Sequence, residues 1–161
     1  PNWKLQSSNR LYATQKTFES GRQYQYQQGK STIDIEIRHL VNTEGNIKDY
    51  LQVYRSMTLQ QPPDIRQKDG FYGIFTHQDR TYLSACVNSR GGSTFSGTQF
   101  ARNRNLQDIR PDRIVPWLLG AESLRDQRCL WVELSVANRD REHLENVWFQ
   151  LYPTLRNRFG Q

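Results

Sequence analysis

Two residue types that could do chemistry lie close together in the stretch from Tyr82 to Thr94. Cys86 is one of only two cysteines in the chain, and Arg90 follows it by four residues, directly before a Gly-Gly-Ser run. A cysteine thiolate can act as a nucleophile when a neighbouring base or cation lowers its pKa. A glycine-rich loop can bind an anion through its backbone amides, and an arginine guanidinium binds carboxylates and phosphates. The stretch therefore predicts either a nucleophilic centre at Cys86 or an anion-binding surface formed by Arg90, Gly91, Gly92 and Ser93.

The remaining residues give little support to catalysis at Cys86. A base or cation that activates the thiol could come only from His39, His77 or Arg90, and only if the fold brings one of them beside Cys86. No pair of histidines has metal-ligand spacing, and no CxxC pair is present, so we expect no metal and no cofactor. The G-x-S-x-G motif of serine hydrolases is also absent. We therefore expect a non-enzymatic protein with no catalytic residue.

Two pairs of carboxylates are close in sequence, Asp34 with Glu36 and Glu142 with Glu145, and the first pair lies on a strongly alternating segment. Asp34 and Glu36 alternate with Ile33, Ile35 and Ile37. Such alternation is typical of a strand with one buried and one wet face. Exposure to solvent accounts for these two carboxylates more simply than acid–base catalysis does, so we expect both side chains to be exposed.

The charge balance indicates an acidic partner. The 161 residues carry a net charge of +6, with 17 arginines and only five lysines. Arg102 and Arg104 form one of the denser groups, and we add them to the binding surface at Arg90. Most arginines have acidic neighbours in sequence, however, and no nucleic-acid motif is present. Nucleic acid is therefore an unlikely partner, and an anionic glycan or a lipid head group remains open.

The elements that must position these residues follow from periodicity. Strands are predicted from apolar–polar alternation, and they cover Tyr24–Tyr26, Ile33–Ile37, Phe71–Thr76, Thr81–Val87 and Leu130–Val136. A helix is predicted from Ile47 to Met57, and another carries Leu144 and Leu151 on one face and ends near Pro153. A short or kinked helix is expected around Pro116. The first twenty residues show no regular pattern.

These elements give the order ββ-α-ββ-(α)-β-α. Hairpins without βαβ crossovers predict a single α+β domain over residues 1–161, with a mainly antiparallel sheet of about five strands and two to three helices. No apolar run reaches the ~18–20 residues that span a bilayer. The chain begins at Pro1 without a methionine, which predicts a processed or trimmed form. Whether a signal peptide or an anchor preceded it stays open at this point.

The two cysteines, Cys86 and Cys129, allow one disulfide. Composition alone leaves a disulfide and two buried thiols equally open, because the compartment is not known from the residues.

Several motifs together resemble one protein family. They are GRQYQY at Gly21–Tyr26, LVNTEG at Leu40–Gly45, YLSAC at Tyr82–Cys86, RGGST at Arg90–Thr94, NRN at Asn103–Asn105 and PWLLGAESLRDQRCLW at Pro116–Trp131. In these motifs the chain is similar to the cyanoexosortase A system-associated proteins of cyanobacteria. The resemblance runs from about Trp3 to Trp148.

The resemblance implies a non-enzymatic accessory protein encoded with an exosortase, the membrane-embedded enzyme that sorts exported proteins. Its partners would be that enzyme, its sorted substrates or an exported glycan. It also implies an extracytoplasmic domain that an N-terminal segment anchors at the periplasmic face. In an oxidising compartment a Cys86–Cys129 disulfide is favoured. Two alternatives stay open, namely a small Cys-dependent enzyme centred on Cys86 and, from element order alone, a ligand-binding module like the PsbP-type proteins.

Overall fold

The computed structural model of the chain describes residues 3–121, 123–137 and 140–160. The processing predicted at Pro1 lies outside these described residues. Within these ranges the chain forms one antiparallel sheet of eight strands and four helices. In chain order the elements are β1 (Lys4–Leu11), β2 (Phe18–Gln28), β3 (Ser31–Leu40), α1 (Ile47–Arg55), β4 (Asp64–Gln67), β5 (Phe71–His77), β6 (Arg80–Asn88), β7 (Ser93–Thr94), α2 (Gly97–Asp108), α3 (Pro111–Leu118), β8 (Cys129–Ala137) and α4 (Arg141–Phe159). The predicted α+β class with a mainly antiparallel sheet is confirmed.

The sheet places β6 and β8 at its centre. Its strand order is β1-β2-β3-β8-β6-β5-β4, and β7 also pairs with β6. Every pair is antiparallel. Because β6 has neighbours on both sides and helices over both faces, Thr81–Asn88 is buried without a break. The loop that follows Asn88 therefore starts from the most rigid part of the domain.

The predicted number of elements was too small, since β1, β4, β7 and α2 were not expected. β1 is an edge strand that is exposed on most of its length, so no apolar alternation marks it, and backbone pairing with β2 holds it. α2 has no apolar stripe and buries only Phe100 and Asp108. Its start is marked instead by a capping box, in which Ser96 and Gln99 bond to each other's backbone N–H.

The last helix is longer than predicted, because Pro153 does not end it. α4 begins at a cap in which Asp140 accepts a hydrogen bond from the N–H of His143 at 3.0 Å. It continues through Pro153 to Phe159. Pro153 is exposed, so water can bind the carbonyl that its missing N–H leaves without a partner. The preceding Tyr152 anchors this part of the helix, since its hydroxyl donates to the carbonyl of Asp69 at 2.9 Å.

Helices pack on both faces of the sheet and divide the core into two clusters. On one face, α4 places Leu144 and Trp148 against the apolar residues of β6 and β8. On the other face, α1 and α2 place Ile47, Leu51 and Phe100 around Trp131. The strict alternation of β6 and β8 supplies side chains to both clusters, which is why these two strands carry so few exposed residues. None of the four helices in the described ranges is long and apolar enough to cross a bilayer.

Cys86 and Cys129 form a disulfide between the two central strands. The strand register pairs Cys86 with Trp131 and Asn88 with Cys129, so the two cysteines are diagonal neighbours on one face. Their Cα atoms lie 5.5 Å apart, within the range that a disulfide requires. The disulfide expected from the resemblance is thus present.

Removing this disulfide should lower stability markedly. The bond joins residues 43 positions apart, and the chain-entropy relation gives about 4 kcal/mol for a loop of that length. We expect the variant C86A/C129A to lose about this amount in the free energy of unfolding, measured by urea denaturation. A loss below about 1 kcal/mol would contradict a stabilising role for the bond.

Candidate functional site

The loop that follows β6 packs closely on α2. The carbonyl of Arg90 accepts a hydrogen bond from the side-chain amide of Asn103 at 2.8 Å. Gly91 has φ of +80°, and a Cβ at this position would lie 2.2 Å from Oδ1 of Asn103. The carbonyl of Gly92 accepts a hydrogen bond from the amide of Asn88. The paired glycines thus allow the loop to approach α2, and this approach fixes the backbone of Arg90.

Ser93 contributes its polar groups to the interior. Its hydroxyl donates to the carbonyl of Phe71 at 2.9 Å, and its N–H donates to the hydroxyl of Tyr152 at 3.0 Å. On α2, Arg102 is exposed, whereas the Arg104 guanidinium lies 4.6 Å from the centre of the Phe100 ring. Of the six residues that the sequence predicted for binding, only Arg90 lines the pocket described next.

An arginine-rich pocket opens beside Arg90, and we call it the arginine pocket. Its volume is about 520 Å³. The loop after β6, α3 and the segment before β8 form its walls. The lining residues are Val41, Asn42, Arg90, Arg113, Ser123, Arg125, Asp126, Gln127 and Arg128. The sequence did not predict Arg113, Arg125 or Arg128 as site residues, because only the fold brings them beside Arg90.

The carboxylate of Asp108 fixes one wall of the arginine pocket. Its side chain is only 2% exposed. Oδ1 accepts from Nη1 of Arg90 at 3.0 Å and from Nη1 of Arg113 at 3.3 Å, and Oδ2 accepts from the N–H of Asp126 at 2.9 Å. A buried negative charge at the C-terminal end of α2 is destabilising, because the helix dipole already places partial negative charge there. The two guanidinium groups and the backbone amide offset that cost.

Asp126 holds the side chain of Arg128 at the arginine pocket. Its carboxylate accepts from the hydroxyl of Ser89 at 2.6 Å, from Nη2 of Arg128 at 2.6 Å and from Nε of Arg128 at 2.9 Å. Burial by itself would raise the pKa of Asp126, but the hydrogen bonds from Arg128 and Ser89 outweigh it and lower the pKa to about 2. The carboxylate therefore stays ionised at neutral pH, and it holds Arg128 in place.

Among the described residues, the arginine pocket has more positive than negative charge. Its four arginines form ion pairs with two carboxylates, Asp108 and Asp126, and the charge of Glu19 also acts on Arg128. Arg125 is exposed, and no described residue forms an ion pair with its guanidinium. Arg113 also donates to the carbonyls of Leu124 and Ser123, at 3.1 and 3.0 Å. The lining thus offers oriented hydrogen-bond donors to an anion, with Arg125 at the solvent side.

The nucleophilic centre considered at Cys86 has no free thiol in this structure. Cys86 is fully buried and bonded to Cys129, so in this state it carries no thiolate. The side chain of His39 pairs with Glu19, and the ring of His143 lies 4.9 Å from that of Trp3. Across the described ranges, no three His, Cys, Asp or Glu side chains are grouped so that they could hold a metal ion.

A second group of charges lies under α1. Glu36 and Glu133 are directly opposite each other on β3 and β8, and both are buried. Arg55 of α1 bonds to Glu36 and lies 3.6 Å from Glu133, while Arg38 lies 2.8 Å from Glu36. The predicted exposure of Glu36 was therefore wrong, because α1 covers this part of the polar face. Burial, reinforced by the charge of Glu36 and opposed by Arg55, raises the pKa of Glu133 to about 7.

No known protein family, curated protein or solved structure matches the chain.

The raised pKa of Glu133 predicts a pH dependence of stability. Between about pH 4.5 and 7 the folded state keeps a proton that the unfolded state releases, so stability falls as the pH rises through this window. We expect Glu133→Gln, which mimics the protonated form, to match the wild type at pH 4.5. At pH 8 the variant should be more stable by up to roughly 3 kcal/mol. The exposed substitution Glu44→Gln is the control, and a Glu133→Gln effect that does not vary with pH would contradict the prediction.

The buried ion pairs of Asp108 predict that a conservative substitution at this position lowers the stability of the fold. Asp108→Asn removes the charge between Arg90 and Arg113, so we expect the free energy of unfolding to fall by about 2 kcal/mol. Asp112→Asn is the matched control, because its carboxylate is exposed and pairs with Arg110 on the surface; it should cost less than about 0.5 kcal/mol. Equal effects of the two substitutions in urea denaturation would contradict the assigned role.

Proposed function

We propose that the chain is a non-enzymatic binding module whose arginine pocket holds a carboxylate or another anionic group of a partner. The observation that carries this proposal is the exposed guanidinium of Arg125, without a described ion-pair partner, at a pocket that also contains Arg90, Arg113 and Arg128. Planar guanidinium groups recognise carboxylates and phosphates through paired hydrogen bonds. An anionic group that entered the pocket would neutralise its excess positive charge.

Preorganisation of the arginines supports binding. Asp108 holds Arg90 through Nη1, and Asp126 holds Arg128 through Nε and Nη2. In both cases other N–H groups of the guanidinium have no hydrogen bond to a described residue. Because the two side chains are already ordered, a ligand would lose less of its binding free energy to the cost of immobilising them.

The compartment is also a proposal. The Cys86–Cys129 bond supports an oxidising, extracytoplasmic location, since stable disulfides are rare in the reducing cytosol. Anchoring at the periplasmic face of a membrane is proposed from the family resemblance alone.

The identity of the partner rests on that resemblance. The motifs that resemble those of the exosortase-associated proteins suggest that the anionic group belongs to the exosortase, to a sorted substrate or to an exported acidic glycan. In this proposal the module acts by holding that partner, and the chemistry of sorting belongs to the membrane enzyme.

Arg125→Glu tests the proposal with little risk to the fold. The side chain is exposed and unpaired with any described residue, so the variant should unfold like the wild type. In calorimetric titrations with oligogalacturonate, a soluble polycarboxylate, we expect affinity to fall at least tenfold, because one attraction becomes a repulsion. If the resemblance holds, co-purification with the cognate exosortase should fall as well, and Arg90→Glu should lower this co-purification in the same way.

Arg10→Glu is the matched control, because Arg10 is exposed on β1 and does not line the arginine pocket. It makes the same change in net charge and should alter the affinity less than twofold. Equal losses for Arg125→Glu and Arg10→Glu would show that only net charge matters, which would contradict a specific site.

A further inference from the structure

The short helix α3 turns an apolar side away from the domain. None of the residues from Pro111 to Leu118 is buried. Val115, Leu118 and Leu119 are three and four positions apart, so they share one side of the helix end, and they are 59%, 68% and 78% exposed. A helix on a folded domain normally directs such a stripe toward the core. Here the stripe faces outward.

More exposed apolar residues lie at the end of α2 and in the link between α2 and α3. The α3 patch, as we call it, consists of Leu106, Ile109, Val115, Trp117, Leu118 and Leu119. Ten large apolar side chains are exposed in the described chain, and six of them belong to this one segment. Single exposed apolar residues are ordinary on a protein surface, whereas a cluster marks a surface that contacts something.

Polar contacts hold α3 in position without help from the patch. Arg113 donates to the carboxylate of Asp108 and to the carbonyls of Leu124 and Ser123. The exposed leucines add little to this anchorage, because they do not face the core. They remain available to a partner.

The charges around the α3 patch favour an anionic surface as its occupant. Arg102 is exposed and lies one helical turn before Leu106 on the same side of α2, and no described residue forms an ion pair with it. Tryptophan and leucine next to arginine form the combination that binds the interface of anionic bilayers. A second copy of the chain would instead bring the same arginines against each other across a two-fold axis, where like charges repel.

We propose that the α3 patch docks on the surface of a lipid bilayer that contains anionic lipids. An eight-residue helix is about 12 Å long, too short to cross a bilayer, so α3 would lie along the interface. Leu118 and Leu119 would enter the boundary between head groups and acyl chains, with Trp117 at the level of the head groups. The patch makes this contact whatever ligand the arginine pocket holds, so the inference goes beyond the function proposed above.

Vesicle binding tests the inference. The purified chain should sediment with phosphatidylcholine vesicles that contain about one third phosphatidylglycerol, and much less with phosphatidylcholine alone. In L118S/L119S the partition coefficient should fall at least tenfold. Val53→Ser is the control, since Val53 is an exposed apolar residue of α1 outside the patch; it should change binding less than twofold.

Tryptophan fluorescence locates the contact. Trp131 and Trp148 are fully buried and Trp3 is partly buried against the core, so a blue shift on addition of vesicles should come mainly from Trp117. The shift should be absent in Trp117→Phe, and brominated lipids should quench the wild-type emission.

Three results would overturn the inference. They are failure of the wild type to bind anionic vesicles, equal binding by L118S/L119S, and a wild-type dimer that L118S/L119S converts to a monomer, since the last identifies a second copy as the occupant. The oligogalacturonate titration separates this inference from the proposed function. L118S/L119S should keep its wild-type affinity for that soluble ligand, and Arg125→Glu should lose it.

Discussion

The buried carboxylate of Asp108 is the contact on which the arginine pocket depends. Through it the end of α2 is joined to the loop after β6, to α3 and to the segment that leads into β8. A charge this deeply buried is stable only while its partners stay in place. The ion pairs therefore do more than neutralise Asp108, because they set the positions of Arg90 and Arg113 and leave Arg125 and Arg128 along the opening.

The central strands supply the rigid base for this arrangement. β6 is buried along nearly its whole length, is paired on both sides and is joined to β8 by the disulfide. Both the loop that carries Arg90 and the segment that carries Arg125 and Arg128 leave the sheet at this end, next to Asn88 and Cys129. Loops that extend from so rigid an edge can hold side chains at fixed separations, which anion recognition requires.

Sequence patterns predicted the parts of the fold that depend on periodicity. The alternation in β2, β3, β5, β6 and β8 and the apolar faces of α1 and α4 were recognised, because each of these elements has a regular apolar face. β1 and α2 were missed, since an edge strand and a helix without an apolar stripe leave no such pattern. The burial of Glu36 was missed for a related reason. A strand pattern shows that a face is polar, but it cannot show that another helix will cover that face.

The candidate site was predicted only in part. Arg90 was singled out because it precedes two glycines, and it lines the pocket. Gly91 and Ser93 make internal contacts with Asn103 and Phe71. Acidic residues lie close to Arg113, Arg125 and Arg128 in the sequence, and such mixed charge is typical of a solvated surface. Only the fold reveals that Asp108 orients Arg113 and that Asp126 orients Arg128.

The central claim is that the arginine pocket binds anions through its own arginines and not through the overall charge of the protein. The most direct test is a two-dimensional NMR titration that follows the side-chain Nε–H signals of the arginines as oligogalacturonate is added. We expect saturable shifts for Arg125, Arg128 and Arg90, with little change for Arg10 and Arg22 on the distant edge of the sheet. Weak, non-saturating shifts of similar size for all exposed arginines would contradict the account.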